Sequence, residues 1–253
     1  MPEGLKLKIA DIVFSIKGED DIKGFSVENE YTPFLNADEK PDVVLKVKRG
    51  IPSNTRYTED EFTTPIWAYC RFDDKRVFKV LSSNKNRHPA RLLVLKHDLK
   101  KGEIIMPKVN KTKNILLQNP FAYPLDQLLM ISLLPQKQGI LIHSCGFKYK
   151  NKGYLFIGSS GAGKSTLSRI LEKKNGVHIL NDDRIAARKR YGRFYVYGTP
   201  WHGTAGFASP DKSPLKGLFF IKKDTKNYLQ RLSVSDIISR LVKYSFLPFW
   251  DRE

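Results

Sequence analysis

The stretch that most constrains this chain is YLFIGSSGAGKSTLSRILEKKNGVHILNDD, residues 154–183. An apolar run crosses a glycine-rich turn, enters a helical pattern and closes on two adjacent carboxylates. Gly158 to Ser165 read GSSGAGKS, the spacing of a phosphate-binding loop: glycine, four residues, glycine, lysine, serine. Placed between a strand and a helix, such a loop offers consecutive backbone N–H groups and the positive end of a helix to phosphate oxygens. Gly158, Gly161 and Gly163 permit the tight path, and Ser159, Ser160, Ala162 and Thr166 complete the cradle. Lys164 is suited to bridging β- and γ-phosphates and the Ser165 hydroxyl to ligating Mg²⁺, so ATP with Mg²⁺ is the expected ligand. Asp182 and Asp183 follow the short strand VHIL, where neighbouring side chains of an extended segment point to opposite sides. One carboxylate can then serve a metal while the other accepts a proton.

The surrounding pattern is α/β (α+β) with a mixed sheet. Residues 1–118 form a β-rich region with short apolar runs at 5–16, 43–49, 66–72, 76–81 and 91–96, separated by turn clusters such as NADEKPD and SSNKNRHP. From residue 119 to 253 helix and strand signals mix. A helix is predicted over 124–134, strands over 139–147 and 153–158 joined by the turn KYKNK, and a helix over 166–174. A strand follows at 177–180, then a hairpin from RIAARKR and RFYVYG, a strand over 215–223 and a helix over 234–244.

Composition narrows the classes. With 41% hydrophobic residues in 253, the chain can bury a core, and no apolar stretch approaches the length of a membrane span. The first residues lack a basic head, apolar segment and cleavage site, so a cytoplasmic chain is the expectation. Cys70 and Cys145 lie in unrelated apolar surroundings and read as free buried thiols. The net charge of +18 favours acidic partners, but the basic residues are dispersed, which points to a solvated surface before dedicated nucleic-acid binding.

Four features together resemble the HPr kinase/phosphorylase family and its relatives among the phosphoenolpyruvate-carboxykinase-like phosphate-loop proteins. They are His143 in LIHSCG, 21 positions before Lys164; the loop GSSGAGKST; the aspartate pair 18 and 19 positions beyond that lysine; and GTPWHG, Gly198 to Gly203. The likeness covers roughly residues 119–250 and includes PLDQLLMISLL ahead of His143. It implies a kinase domain over 119–253 that transfers the γ-phosphoryl group of ATP to a hydroxyl, foremost a serine of a protein or peptide. By the same resemblance Asp182 is the general base, His143 lies near the reacting phosphate, Lys164 stabilises γ-phosphoryl charge, and Ser165 and Asp183 hold Mg²⁺. His202 and Arg184 are further candidates for contact with substrate or phosphate. The glycine- and arginine-rich segment that serves phosphorylase activity in the family has no counterpart after the aspartates, which argues against phosphate-dependent reversal.

The β-rich region would then recruit an acceptor, acidic partners being favoured by charge, or mediate assembly into a homo-oligomer. Two other readings stay open at this point. One is a small-molecule or carboxykinase-like enzyme; the other is a nucleotide-binding regulatory or nucleic-acid-associated protein without transfer activity, against which the intact aspartate pair argues.

Overall fold

The computed structural model describes residues 4–19, 22, 24–35, 38–50, 59–82, 89–107 and 117–251. The turn cluster at 82–89 therefore falls almost wholly outside the described residues, and that at 36–42 begins outside them. The protein is mixed α/β with far more strand than helix, in mixed sheets. Among the described residues no helix is long and apolar enough to cross a membrane.

The chain divides into two compact units, residues 1–130 with 248–253, and residues 131–247. The division lies inside a helix, beyond the change of character read at residue 119.

In the first unit, β1 (Gly4–Ile9) and β2 (Ile12–Gly18) form a hairpin in which Ala10 and Asp11 both take positive φ, 52° and 55°. The run 5–16 is thus two strands rather than one, because a two-residue turn with both φ positive matches the twist of antiparallel strands. The short β3 (Phe25–Ser26) precedes a single 3-10 helix over Asn29–Phe34. β4 (Val43–Arg49), β5 (Phe62–Thr63), β6 (Trp67–Phe72), β7 (Lys75–Leu81), β8 (Pro89–Lys96) and β9 (Lys101–Met106) complete an eight-stranded sheet ordered β1-β2-β4-β9-β8-β7-β6-β5. β2, β4 and β9 run parallel and the other neighbours antiparallel. β10 (Leu117–Gln118) pairs with β3, and α1 (Leu125–Gln136) begins in this unit. The segment 248–251 also belongs here. Trp250 packs edge-on against Trp67 at 5.0 Å between ring centroids, and Asp251 accepts a hydrogen bond from Arg76 Nε at 2.6 Å.

The second unit holds the stretch 154–183 with its glycine-rich loop and paired aspartates. β11 (Gly139–Tyr149) and β12 (Lys152–Ile157) pair across a turn reduced to Lys150 and Asn151, both with positive φ, so the strands extend into the predicted KYKNK turn. α2 (Lys164–Glu172) starts two residues ahead of the predicted helix, directly at the loop lysine. β13 (Val177–Asn181), β14 (Arg184–Arg190), β15 (Arg193–Tyr197) and β16 (Lys212–Phe220) follow, then α3 (Val234–Tyr244) and β17 (Ser245–Phe246). β16 runs three residues nearer the N-terminus than the stretch read from sequence, whereas α3 occupies the predicted residues.

Pairings run from β12 to β16, β15, β14 and β11 and back to β12, closing five strands into a ring. Ile142, Leu155, Ile157, Leu180, Ile185, Ala187 and Val196 form its buried core, with Leu241 and Tyr244 of α3 packed against it. Burial of such side chains contributes roughly 1.5–3 kcal/mol each. The consequence for function lies in β11. It carries β14 and then β13 along one edge, and β17 and then β12 along the other, so the ends of several elements meet near its middle.

Candidate functional site

The register of β11 builds the site. On one edge His143 pairs with Arg184 and Gly146 with Asn181, so Asp182 and Asp183 fall in the gap between β13 and β14. On the other edge Ser144 pairs with Ile157, the last residue before the glycine-rich loop. The loop and the aspartates, far apart in sequence, are thereby brought to the same few residues of one strand.

The loop follows its sequence logic. Gly161 and Gly163 have φ of 76° and 107°, which residues with side chains adopt only with strain, while a Cβ on Gly158 would stand 2.9 Å from that of Ala162. Ser159 and Ser160 are exposed, the Ala162 N–H closes a turn onto the Ser159 carbonyl at 3.1 Å, and Thr166 is exposed on the first turn of α2. Gly163 stands at the N-cap of α2 and, among the described residues, no side chain caps the helix, which leaves the N–H groups of its first turn for another acceptor.

Lys164 is buried. Its ammonium donates to the carbonyls of Gly158 at 2.8 Å and Ser159 at 3.0 Å and lies 2.9 Å from His143 Nε2. An ammonium has only protons to give, so His143 Nε2 accepts and its Nδ1 carries the proton. That Nδ1 faces Asp183 Oδ1 at 3.2 Å. Burial chiefly, then the Lys164 charge, holds the His143 pKa below its ordinary value against the pull of Asp183. Burial likewise lowers the Lys164 pKa, while the carboxylates of Asp183 and Asp182 act in the opposite direction.

The two aspartates occupy different environments. Asp182 is 1% exposed. Its Oδ1 accepts from the backbone N–H of Gly203 at 2.9 Å and of Phe207 at 3.3 Å, and its Oδ2 from Ala205 N–H at 2.9 Å and the Ser165 hydroxyl at 3.3 Å. Asp183, with 20% of its side chain exposed, receives Arg184 on Oδ2 at 2.5 Å and faces His143 on Oδ1. The Nε of Arg184 is buried and has no hydrogen-bond partner among the described residues.

Residues not named from the sequence as site candidates hold this pair in place. Asn181, fully buried, accepts from the backbone N–H of Asp183 at 2.7 Å and of Arg184 at 2.8 Å, and donates to the Thr199 carbonyl at 2.8 Å. The Thr199 hydroxyl donates to the Arg184 carbonyl at 2.7 Å. The glycines of GTPWHG are close-approach positions: a Cβ on Gly198 would meet the Ser209 carbonyl oxygen at 2.0 Å, and one on Gly203 would meet Asp182 Oδ2 at 2.7 Å. Trp201 is buried, while His202 is exposed and its Nδ1 donates to the Gly203 carbonyl at 2.9 Å. An asparagine after an apolar strand and before two aspartates is a turn-and-cap signal, and it is the one clue that could have singled out Asn181.

Cys145, one residue from this junction, is buried, and burial pushes its thiol up to about 11. It remains protonated at neutral pH and is no nucleophile.

Mg²⁺ commonly takes one or two carboxylates and a hydroxyl together with phosphate oxygens and waters. Ser165 and the two aspartates are oxygen donors of that kind, with Ser165 Oγ already within 3.3 Å of Asp182. Among the described residues there is no group of three or more His, Cys, Asp or Glu side chains that could hold a metal ion. Comparison with protein-family models finds no match, and comparison with curated proteins finds none either.

Proposed function

We propose that the chain is an ATP- and Mg²⁺-dependent kinase of the HPr-kinase-like type, transferring the γ-phosphoryl group to a hydroxyl, foremost a serine of a protein or peptide. The observation that carries this reading is the chain of contacts Ser159 and Gly158 carbonyls, Lys164, His143, Asp183, Arg184, built from the phosphate-type loop, the start of α2, β11 and the junction of β13 with β14. A pure nucleotide binder has no use for an imidazole and a part-exposed carboxylate aligned behind the loop lysine.

The environments of the aspartates favour exchanging the roles implied by the family resemblance. Asp182 is enclosed by three backbone N–H groups and the Ser165 hydroxyl, an arrangement that fixes its position and keeps it on the metal side with Ser165. Asp183 is the carboxylate an acceptor hydroxyl can reach, and His143, neutral and protonated at Nδ1, orients it. Lys164 neutralises charge on the phosphoryl oxygens, and Arg184 offers its unpaired Nε–H to an anionic oxygen. Bound Mg²⁺ would neutralise the β- and γ-phosphates during transfer.

The test is incubation of native lysate with γ-labelled ATP and Mg²⁺, comparing the wild-type chain with Asp183→Asn and following label in proteins and metabolites. Label in a protein that depends on Asp183 supports the reading. Label confined to a small molecule would make this a metabolite kinase, and ATP bound with no Asp183-dependent product would refute transfer altogether.

A further inference from the structure

Phe246 belongs to none of the motifs above, yet it stands against two of their residues. It lies in β17, whose pairing with β11 sets Phe246 opposite Leu141 and Ser245 opposite Ile142, next to His143 in the same strand. Its ring centroid is 5.4 Å from Arg184 Cζ and 6.4 Å from the His143 ring, which it meets nearly perpendicularly at 80°. The end of α3 fixes this placement: Ser245 donates its hydroxyl to the Leu241 carbonyl at 2.6 Å, and its N–H caps the helix on the Val242 carbonyl.

Arg184 has little else to hold it. One terminal nitrogen pairs with Asp183, while its Nε is buried without a partner among the described residues, an arrangement that costs free energy unless a ligand completes it. An aromatic face attracts a guanidinium without occupying its in-plane donors. We infer that Phe246 is a positioning residue, whose ring holds Arg184 and His143 so that the Arg184 Nε–H stays available to an anionic oxygen of the transferring group. The assignment rests on the kinase reading for its purpose, but its physical content, a ring holding a guanidinium, is separable from it.

The experiment uses the full chain with Phe246→Ala, Phe246→Leu and Phe246→Tyr, reading Asp183-dependent label transfer from γ-labelled Mg·ATP to protein of native lysate and the ¹⁵N-resolved Nε–H resonance of Arg184. Leucine retains apolar volume without a π face; tyrosine retains the face. The expected result is a kcat about tenfold lower in the leucine and alanine variants with KM for ATP little changed, and recovery to within about threefold in the tyrosine variant. The Arg184 Nε–H signal should carry a ring-current shift in the wild type and the tyrosine variant and lose it in the leucine variant. If alanine unfolds the chain, the leucine and tyrosine variants decide. A leucine variant with wild-type kcat and an unmoved Arg184 signal overturns the role of Phe246 while leaving the kinase reading intact. Absence of Asp183-dependent label transfer by the wild type refutes the kinase reading, and a ring-shifted Arg184 signal in that case still supports the placement by Phe246.

Discussion

Lys164 Nζ stands 2.9 Å from His143 Nε2, and this contact fixes the imidazole as an acceptor on that side and a donor to Asp183 on the other. A second proton on His143 would face the lysine ammonium directly. The pKa of His143 in the folded chain is lowered by burial and by Lys164, while in the unfolded chain it is about 6.5. Below that value the unfolded state binds more protons, so stability falls as pH drops through about 6.5 and stops falling once the folded-state pKa is passed. Melting temperature measured from pH 8 to pH 5 should therefore decline more steeply for the wild type than for His143→Gln. Equal slopes would show that His143 is not held neutral.

Exchanging each aspartate for asparagine should separate structure from chemistry. Asp182→Asn sets an amide N–H₂ against backbone donors that now share a carboxylate, and should cost about 1–3 kcal/mol of stability. Asp183→Asn leaves Arg184 and His143 an amide oxygen in place of the carboxylate they share, and its main effect should be on turnover, which falls about 10²- to 10⁴-fold. Denaturant midpoints, and label transfer from γ-labelled Mg·ATP to protein of native lysate, check both halves.

The glycines of the 198–207 loop differ in what they require. Gly203→Ala places a methyl 2.7 Å from Asp182 Oδ2, so the loop must retreat and loosen its N–H contact with that carboxylate. Gly206→Ala meets no atom within 4 Å and pays only for a φ of 78°, about 1 kcal/mol. The first substitution should weaken Mg·ATP binding as well as stability; the second should lower the melting temperature alone. Titration calorimetry beside thermal melts distinguishes them.

In the first unit the Arg76–Asp251 pair is mostly buried, with side chains 8% and 14% exposed. Arg76→Met leaves the carboxylate without its Nε partner, and a loss of about 3–5 kcal/mol is expected, as for breaking other buried pairs from one side. The double variant Arg76→Met with Asp251→Leu should recover most of that loss. Chemical denaturation of the two variants would decide it.

The sequence by itself determined whatever depends on neighbours along the chain. Glycine, lysine and serine spacing marked the loop at 158–165, and apolar periodicity marked α3 to its observed ends, because backbone preference and amphipathic period are carried by contiguous residues. The same local signals misplaced features where geometry was finer than composition. Two positive-φ residues split the run 5–16, and Gly163 let α2 begin at Lys164. What each site residue does was left to tertiary structure. The sequence shows Asp182 and Asp183 as equals; the folded chain encloses one with N–H groups from residues 203–207 and leaves the other facing His143. Asn181, Thr199 and Phe246 gained their places in the same way, through contacts with partners distant in the sequence or in other elements. Burial and hydrogen-bond partners are properties of surfaces brought together across the ring of strands, and a linear pattern holds no record of which residue will arrive opposite which.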